Sequence, residues 1–499
     1  MGGFTLLLAL SRLYYLRQIG LVTATSYANP SSSTLPQPVQ RGPEAIDQAL
    51  IQAIEALTKQ EKNFWSQPLE YDRRGAGHRF FQYPAMMLPV VQRKIIQLVK
   101  AAAPNTHTLL DPFMGSGTAL AAGMLNGLDC YGQDINPMSI LLAKVKAEAF
   151  NQPAYQRAAE RLLKRVKADS SAVVTADFPN LDKWFEKKVA QELSKLVRAI
   201  RQERQLSTRR LFWVTLAETV RLTSNDRTST FKLHARSAED IAKRDPSPLK
   251  TFEQLFTQNT DDIAFYAEQL TTQGYLREEA YTGRVNISVL DSSKRIKLPV
   301  ARSPLSASAV DTSAGFDLVV SSPPYGDNRT TVPYGQHAYL PLQWIDFADI
   351  DPAVSPDCLA TTHEIDNRSL GGQRNTVTEQ DQKRFSRLSP AFDANIQALL
   401  KTKPSEVKKV VCFVRDLNAV LKRCAQAVKP NGYLVWTIGN RKVGGLEIHN
   451  NLILADLLAQ YNIVQVYKIE RSIQSKRMAA RNKSTTTMTK EEILIFRKK

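Results

Sequence analysis

Two stretches combine residue types that could do chemistry. The first is Asp111-Pro-Phe-Met-Gly-Ser-Gly-Thr118, set between an expected strand at 106–110 and the helical pattern Ala119–Leu125. Glycines at a strand-to-helix turn let backbone N–H groups come close to a ligand. The pattern has neither the Gly-Lys-Ser/Thr of a phosphate loop nor the GxGxxG of a dinucleotide site. A carboxylate at the strand end suits a cation, so Asp111 is expected beside a positive amino group or sulfonium; the competing reading is a tight turn that binds nothing. Asp134 ends the next run roughly 20 residues past the glycines, where an acidic side chain hydrogen-bonds ribose hydroxyls. Its competing reading is a cap for the helix that Pro137 begins. Asp291 ends a third run, placed to take an adenine amino group. Together these carboxylates describe a nucleoside with a charged tail lying across three strand ends.

The second stretch is Phe316-Asp-Leu-Val-Val-Ser-Ser-Pro-Pro-Tyr-Gly326. Leu318–Val320 reads as a buried strand. Each of Pro323 and Pro324 fixes φ and pushes the residue before it out of the α region, so the strand end becomes a stiff, extended hook. Ser322 offers a hydroxyl and Tyr325 a ring held outward. Open α/β sheets place ligands at such strand ends, although a surface loop with two prolines would read the same way.

The elements that must position these residues follow from periodicity. Ala45–Leu57 and Val90–Val99 have helical spacing, and the strands 106–110 and Leu128–Gln133 alternate with helices in β-α-β-α order. That order begins a doubly wound, mostly parallel α/β sheet. Residues 151–280 are helical and basic, and 151–250 hold 21 Lys+Arg against 12 Asp+Glu. Strand character returns at Val285–Leu290 and Leu318–Val320. An irregular stretch follows to Pro404, then a helix Val414–Val428, the turn Lys429-Pro-Asn-Gly432, and strands at Tyr433–Ile438, Ile463–Ile469 and Glu492–Phe496. The expected organisation is a flexible segment 1–45, catalytic-domain parts 46–150, 281–330 and 405–499, a helical basic insertion 151–280, and an irregular insertion 331–404 near the site.

The chain carries 66 Lys+Arg against 48 Asp+Glu, a net +18. That balance favours a polyanionic partner, nucleic acid first. Four cysteines show no CxxC or Cys/His pairing, so zinc and a disulfide framework are not indicated, and a reducing cytoplasm fits. The apolar run Phe4–Leu10 lacks a preceding basic residue and is broken by Arg12 and Arg17, which argues against a signal peptide. No stretch approaches the ~20 apolar residues of a membrane span. Gly2 lacks the Ser/Thr at position 6 that myristoylation prefers.

The pairing of Asp111-Pro-Phe-Met-Gly-Ser-Gly-Thr118 with Ser322-Pro-Pro-Tyr325 resembles the amino-methylating DNA methyltransferases, which use S-adenosylmethionine. Their cofactor motif has the form DPFxGSGT and their catalytic motif is Asp/Asn/Ser-Pro-Pro-aromatic. Gln82-Tyr83-Pro84 resembles the family segment that packs over the methionine part of the cofactor. The resemblance covers about 78–150, 283–326 and 410–499, with the insertions in unusual places and no recognisable target-reading module in either. It implies a Rossmann-like methyltransferase sheet. It implies cofactor contacts at Tyr83, Asp111, Phe113, Gly115, Ser116, Gly117, Thr118, Asp134 and Asp291. It implies catalysis by Ser322, Pro323, Pro324 and Tyr325, without a metal.

The serine form of the motif is associated chiefly with cytosine N4, so duplex DNA methylated at that amine is the expected substrate. Adenine N6 is the near alternative, RNA guanine N2 the next, and a non-catalytic DNA-binding protein retaining the fold the last. A cognate restriction endonuclease is a possible companion. The chemistry needs a hydrogen-bond acceptor for the amine, whose lone pair is delocalised into the ring, and a flipped base stacked on Tyr325. Ring-carbon methylation would need a Cys after Pro, and the chain has none. For the duplex backbone the candidates are Arg221, Asn225, Arg227 and Lys232 in one basic segment and Lys476, Arg477 and Arg481 in another. His78, His234 and the Trp184-Phe185 pair read as ordinary structural residues.

Overall fold

Residues 42–66, 77–148, 150–299, 314–473 and 490–499 are described by the computed structural model, and the following statements concern them. The apolar runs pair into a seven-stranded sheet. Its strands are β1 (Thr108–Asp111), β2 (Asp129–Asp134), β3 (Val285–Val289), β4 (Phe316–Ser321), β5 (Val428–Ile438), β6 (Ile463–Ser472) and β7 (Lys490–Lys498). Their order across the sheet is β6-β7-β5-β4-β1-β2-β3. Pairing is parallel from β5 through to β3, and β7 runs antiparallel to both its neighbours.

Sheet growth reverses between β1 and β4: β2 and β3 extend one side, β4 and β5 the other. In doubly wound sheets the crevice outside the carboxyl ends at that reversal is where ligands bind. The two strands are locked in register at their other end. Asp317 accepts hydrogen bonds from the Thr108 amide (2.9 Å) and hydroxyl (2.8 Å), and from the His107 amide (2.9 Å). Leu109, Leu318, Val320 and Val435 enter one apolar cluster, whereas Leu110, Val319, Leu434 and Trp436 enter the other. Period-two alternation into two cores means both faces are covered, as parallel sheets require.

Lys429-Pro-Asn-Gly432 is a correction to the expected turn. It is a bulge inside β5: Phe316 pairs with Val428, and the next partners are Leu318 and Tyr433. Asn431 takes φ +62° to let the extra residues loop out. The stretch expected to be irregular is also corrected, since 331–404 is largely helical, including Tyr334–Leu342, Glu379–Leu388 and Pro390–Thr402. These helices are short and separately capped, by a Thr378–Asp381 capping box and by Ser389 before Pro390, so no long periodic pattern announces them.

Helices Gln152–Ala168, Lys187–Arg201, Leu206–Thr223 and Pro248–Thr272 form the basic insertion. Leu206–Thr223 is buried nearly all round and packs against Pro137–Glu148, the helix after β2. Part of the positive excess is spent on internal pairs rather than on the surface, such as Arg198–Asp169, Arg209–Asp349 and Arg210–Glu148. Trp184 and Phe185 are core residues. Among the described residues no helix is long and apolar enough to cross a membrane, and no cluster of side chains could hold a metal.

Candidate active site

The turn after β1 is shaped by its glycines. Gly115 and Gly117 adopt φ +48° and +76°, conformations that cost an L side chain. A Cβ on Gly117 would stand 3.3 Å from Ala143, and one on Gly115 would stand 3.2 Å from the Tyr83 ring. The Gly115 amide donates to Asp134 Oδ2 (2.9 Å) and the Asn136 amide to Oδ1 (2.8 Å). Burial raises the Asp134 carboxyl above its ordinary pKa, and these N–H donors oppose the shift. Two backbone donors leave further lone pairs on Asp134 for a ligand.

Beneath the turn lies Lys146, fully buried. Its ammonium donates to the Ser116 carbonyl and lies 2.9 Å from His78 Nδ1. Burial lowers the Lys146 pKa to about 7, against the opposing pull of Asp262, and holds His78 well below its ordinary value. The residues after His78 carry Tyr83 over the turn: its hydroxyl lies 2.8 Å from Ser139 Oγ, and its ring centroid is 5.6 Å from that of Tyr334. Burial pushes the Tyr83 phenol well up, so it stays neutral.

At the reversal point β4 ends on Ser321, whose hydroxyl donates to Asp111 Oδ1 (2.6 Å). That bond ties the ends of β1 and β4 together. The hook follows. Ser322 Oγ lies 3.3 Å from the Tyr325 hydroxyl, and Asn450 Nδ2 donates to the Tyr325 carbonyl at 3.0 Å. A Cβ on Gly326 would sit 1.5 Å from the Arg441 guanidinium and would have to displace it. Asp327, itself buried, is gripped by Arg374 (2.6 Å) and Arg441 (3.4 Å). The hook is thus fastened on both sides, as a group that must position a reacting atom needs to be.

One cleft collects most of the expected residues. Tyr83, Phe113, Gly115, Ser116 and Thr118 line it together with Asp134, Asp291, Ser322 and Pro324. The space around it, open solvent at its mouth included, is about 870 Å³. Residues that sequence reasoning missed also line it: Asn136, Asn328 and Tyr334. Asn136 Oδ1 accepts from the Met138 amide (3.1 Å), as an Asx turn opening the next helix. Its Nδ2 is buried close enough to the Tyr83 hydroxyl to act on it but makes no hydrogen bond of good geometry. This donor beside the Asp134 acceptor, with Phe113, Ile135 and Leu290 as apolar wall, suits the sugar and base of a nucleoside. The Asn136-Pro137 dipeptide was the available signal for it.

Other expectations are corrected. Asp111 does not reach the cleft. It is fully buried behind Pro112, its Oδ1 taken by Ser321 and by the Phe113 amide (3.1 Å) and its Oδ2 unpartnered. Burial raises it to about 7. Its place is to join two strand ends, not to face a sulfonium. Gly117 and Pro323 likewise lie outside the cleft lining; Gly117 serves the packing of the turn on Ala143. Tyr325 is half-buried and packs against the apolar cluster around Trp436, rather than standing free. Asp291 does line the cleft, with Oδ1 held by the Ser293 amide (2.9 Å) and hydroxyl (2.6 Å).

In the basic segment Arg221 is buried, paired with Glu218 and donating to Gln82 Oε1 (3.0 Å). Asn225 is buried with its Nδ2 on the Lys183 carbonyl (3.2 Å). Neither is placed to meet a duplex, because Arg221 lies on a helix buried nearly all round and Asn225 is buried just past its end. Arg227 and Lys232 are exposed. Their loop is tied to the helix Tyr334–Leu342, whose first residue lines the cleft: the Leu233 amide donates to Gln336 Oε1 (3.2 Å), and Phe231 sits edge-on to His337 at 5.4 Å. Burial lowers His337 to about 3, so the imidazole is neutral, and its Nε2 donates to the Gln82 carbonyl (2.8 Å). Lys476, Arg477 and Arg481 lie outside the described residues.

No family model matches the chain. Over 464 residues, 89% of this chain and 96% of the other, it is 28% identical to the type II methyltransferase M.MvaI of Kocuria varians. Shorter matches are local. One is 36% identity over 86 residues, 17% of this chain and 25% of the other, to a tRNA (guanine(10)-N2)-dimethyltransferase of Pyrococcus abyssi. Another is 34% over 80 residues, 16% of this chain and 15% of the other, to the type II methyltransferase M.MjaII of Methanocaldococcus jannaschii.

Proposed function

We propose that this chain, a methyltransferase of the restriction–modification type, methylates the exocyclic N4 of a cytosine in duplex DNA with S-adenosylmethionine as donor. One observation carries the reading: Ser322 and Pro324 line the same cleft as the glycine turn and Asp134, across the β1/β4 reversal. A nucleoside-binding half and an amine-accepting half thereby face one space. Asp134, Asn136 and Asp291 are the groups that hold the cofactor's nucleoside. When bound, the cofactor supplies an electrophilic methyl group on a sulfonium.

The chain's own part is to prepare the amine. An exocyclic amine is a poor nucleophile while its lone pair is spread into the ring. Ser322 Oγ and a backbone carbonyl of the hook accept its N–H hydrogens and draw the nitrogen toward tetrahedral geometry. Held there, the lone pair is aimed, and orientation supplies much of the rate. The base must leave the duplex to reach the hook, and stacking on Tyr325, which packs half-buried at the hook, requires its ring to be met there. Arg227 and Lys232 stand exposed on a loop tied to the helix that Tyr334 begins and take backbone phosphates.

Cytosine N4 rests on the serine of Ser322-Pro-Pro; adenine N6 is the near alternative. The local match to the tRNA guanine-N2 enzyme favours RNA guanine as a second reading. Expression in a host free of DNA methylation, followed by nucleoside mass spectrometry of DNA and RNA, separates the three. N4-methylcytosine in DNA supports the proposal, and N6-methyladenine or methylguanine in RNA replaces it.

A further inference from the structure

Asn328 lies three residues beyond Tyr325, is only 3% exposed, and lines the cleft beside Ser322 and Pro324. Its Nδ2 donates to Asp366 Oδ1 at 3.3 Å. Asp366 is itself buried and pinned by the amides of Gly335 (2.9 Å) and Gln336 (3.2 Å). A carboxylate accepts and cannot donate, so it fixes which end of the Asn328 amide faces it. The other end, Oδ1, is buried without a partner. A buried acceptor left unsatisfied is costly, and a ligand N–H that reaches it recovers that cost.

The geometry points to Asn328 Oδ1 as an acceptor for the amino group of the target base, oriented in advance by Asp366. This rests on the amine-methylation reading and extends it from the hook to the segment 331–404. Two donors could fill the position, the neutral amine of the base or the ammonium of the cofactor. Arg368 also lines the cleft but is ion-paired with Glu364 and Asp357, so the cofactor Kd, not this cation, separates the two. The amine has only two N–H groups, so Asn328 Oδ1 shares one of them with the hook's carbonyl while Ser322 Oγ takes the other. Being fixed by Asp366, this acceptor decides which face of the nitrogen turns toward the donor methyl.

The test uses purified full-length Asn328→Ala and Asp366→Asn, unmethylated genomic DNA and labelled S-adenosylmethionine. Asn328→Ala is expected to lower methyl incorporation by about tenfold or more, through DNA KM and kcat. Its cofactor Kd should stay unchanged. Asp366→Asn, which frees the amide to rotate, is expected to lower incorporation by a smaller factor. A matching loss of cofactor affinity in Asn328→Ala would overturn the assignment in favour of the ammonium. Unchanged incorporation in Asn328→Ala would overturn it outright while leaving the amine-methylation reading standing. Native protein that methylates no DNA would overturn both.

Discussion

The Gly115 amide donates to Asp134 Oδ2 at 2.9 Å, and this single bond makes the turn after β1 and the end of β2 one surface. A ligand contacting either is read by both. Neighbouring strands that end side by side can share a ligand only if their loops are held in one position, and here the holding group also lines the cleft.

Removing that group tests the cofactor half. Asp134→Ala is expected to weaken S-adenosylmethionine binding by about 10- to 100-fold, because a buried acceptor and the anchor of Gly115 disappear together. Calorimetric titration measures it; a dissociation constant within a factor of about two of native would remove Asp134 from the cofactor site.

Ser322→Ala tests the other half. Methyl transfer should fall by on the order of 10²-fold, as expected when a group that positions the reacting atom is removed. Cofactor affinity should hold, since the Ser322 hydroxyl bonds only Tyr325 among the described residues. Equal losses in both measurements would reassign Ser322 to cofactor binding.

Asp111 gives a pH signature. Burial raises its carboxyl from 3.8 to about 7, so between those values the folded chain keeps a proton that the unfolded chain releases. The stability this contributes is full below pH 3.8 and is lost as the pH rises toward about 7. Asp111→Asn keeps the acceptor for Ser321 and removes the ionisation. Denaturant melts should show the variant gaining stability relative to native as the pH is raised from about 4 to about 7. A constant difference across that range would contradict the shift.

Arg227 and Lys232 are tested by salt. Replacing both with Gln should weaken duplex binding uniformly across sequences. It should also lower the steepness of log K against log salt by about 1 for each phosphate that the side chains had neutralised. Unchanged steepness would mean that the loop bearing them does not touch the backbone. Arg221→Gln should instead act on folding, because its guanidinium is buried on Glu218.

The glycines of the turn, the carboxylates at strand ends and the two prolines of the hook were legible in the chain itself. Each is a local constraint: a residue needing positive φ, or one forbidden to continue a strand, acts on its immediate neighbours alone. The alternation of apolar runs with helical spacing likewise specified a doubly wound sheet, since burial on both faces demands apolar strands. What the chain could not disclose is which side chain faces which neighbour across long separations. Asp111 and Ser321 are 210 positions apart, and their bond turns an expected ligand contact into a clasp between strands. Arg221 is basic by composition yet neutralised by Glu218 one helical turn away and sealed under Gln82. Asn328 lies in a stretch without periodicity, and only the approach of Asp366 gives its amide a direction. Local geometry is written in residue type and spacing; the pairing, burial and orientation of polar groups arise from packing, which exists only once the chain has closed on itself.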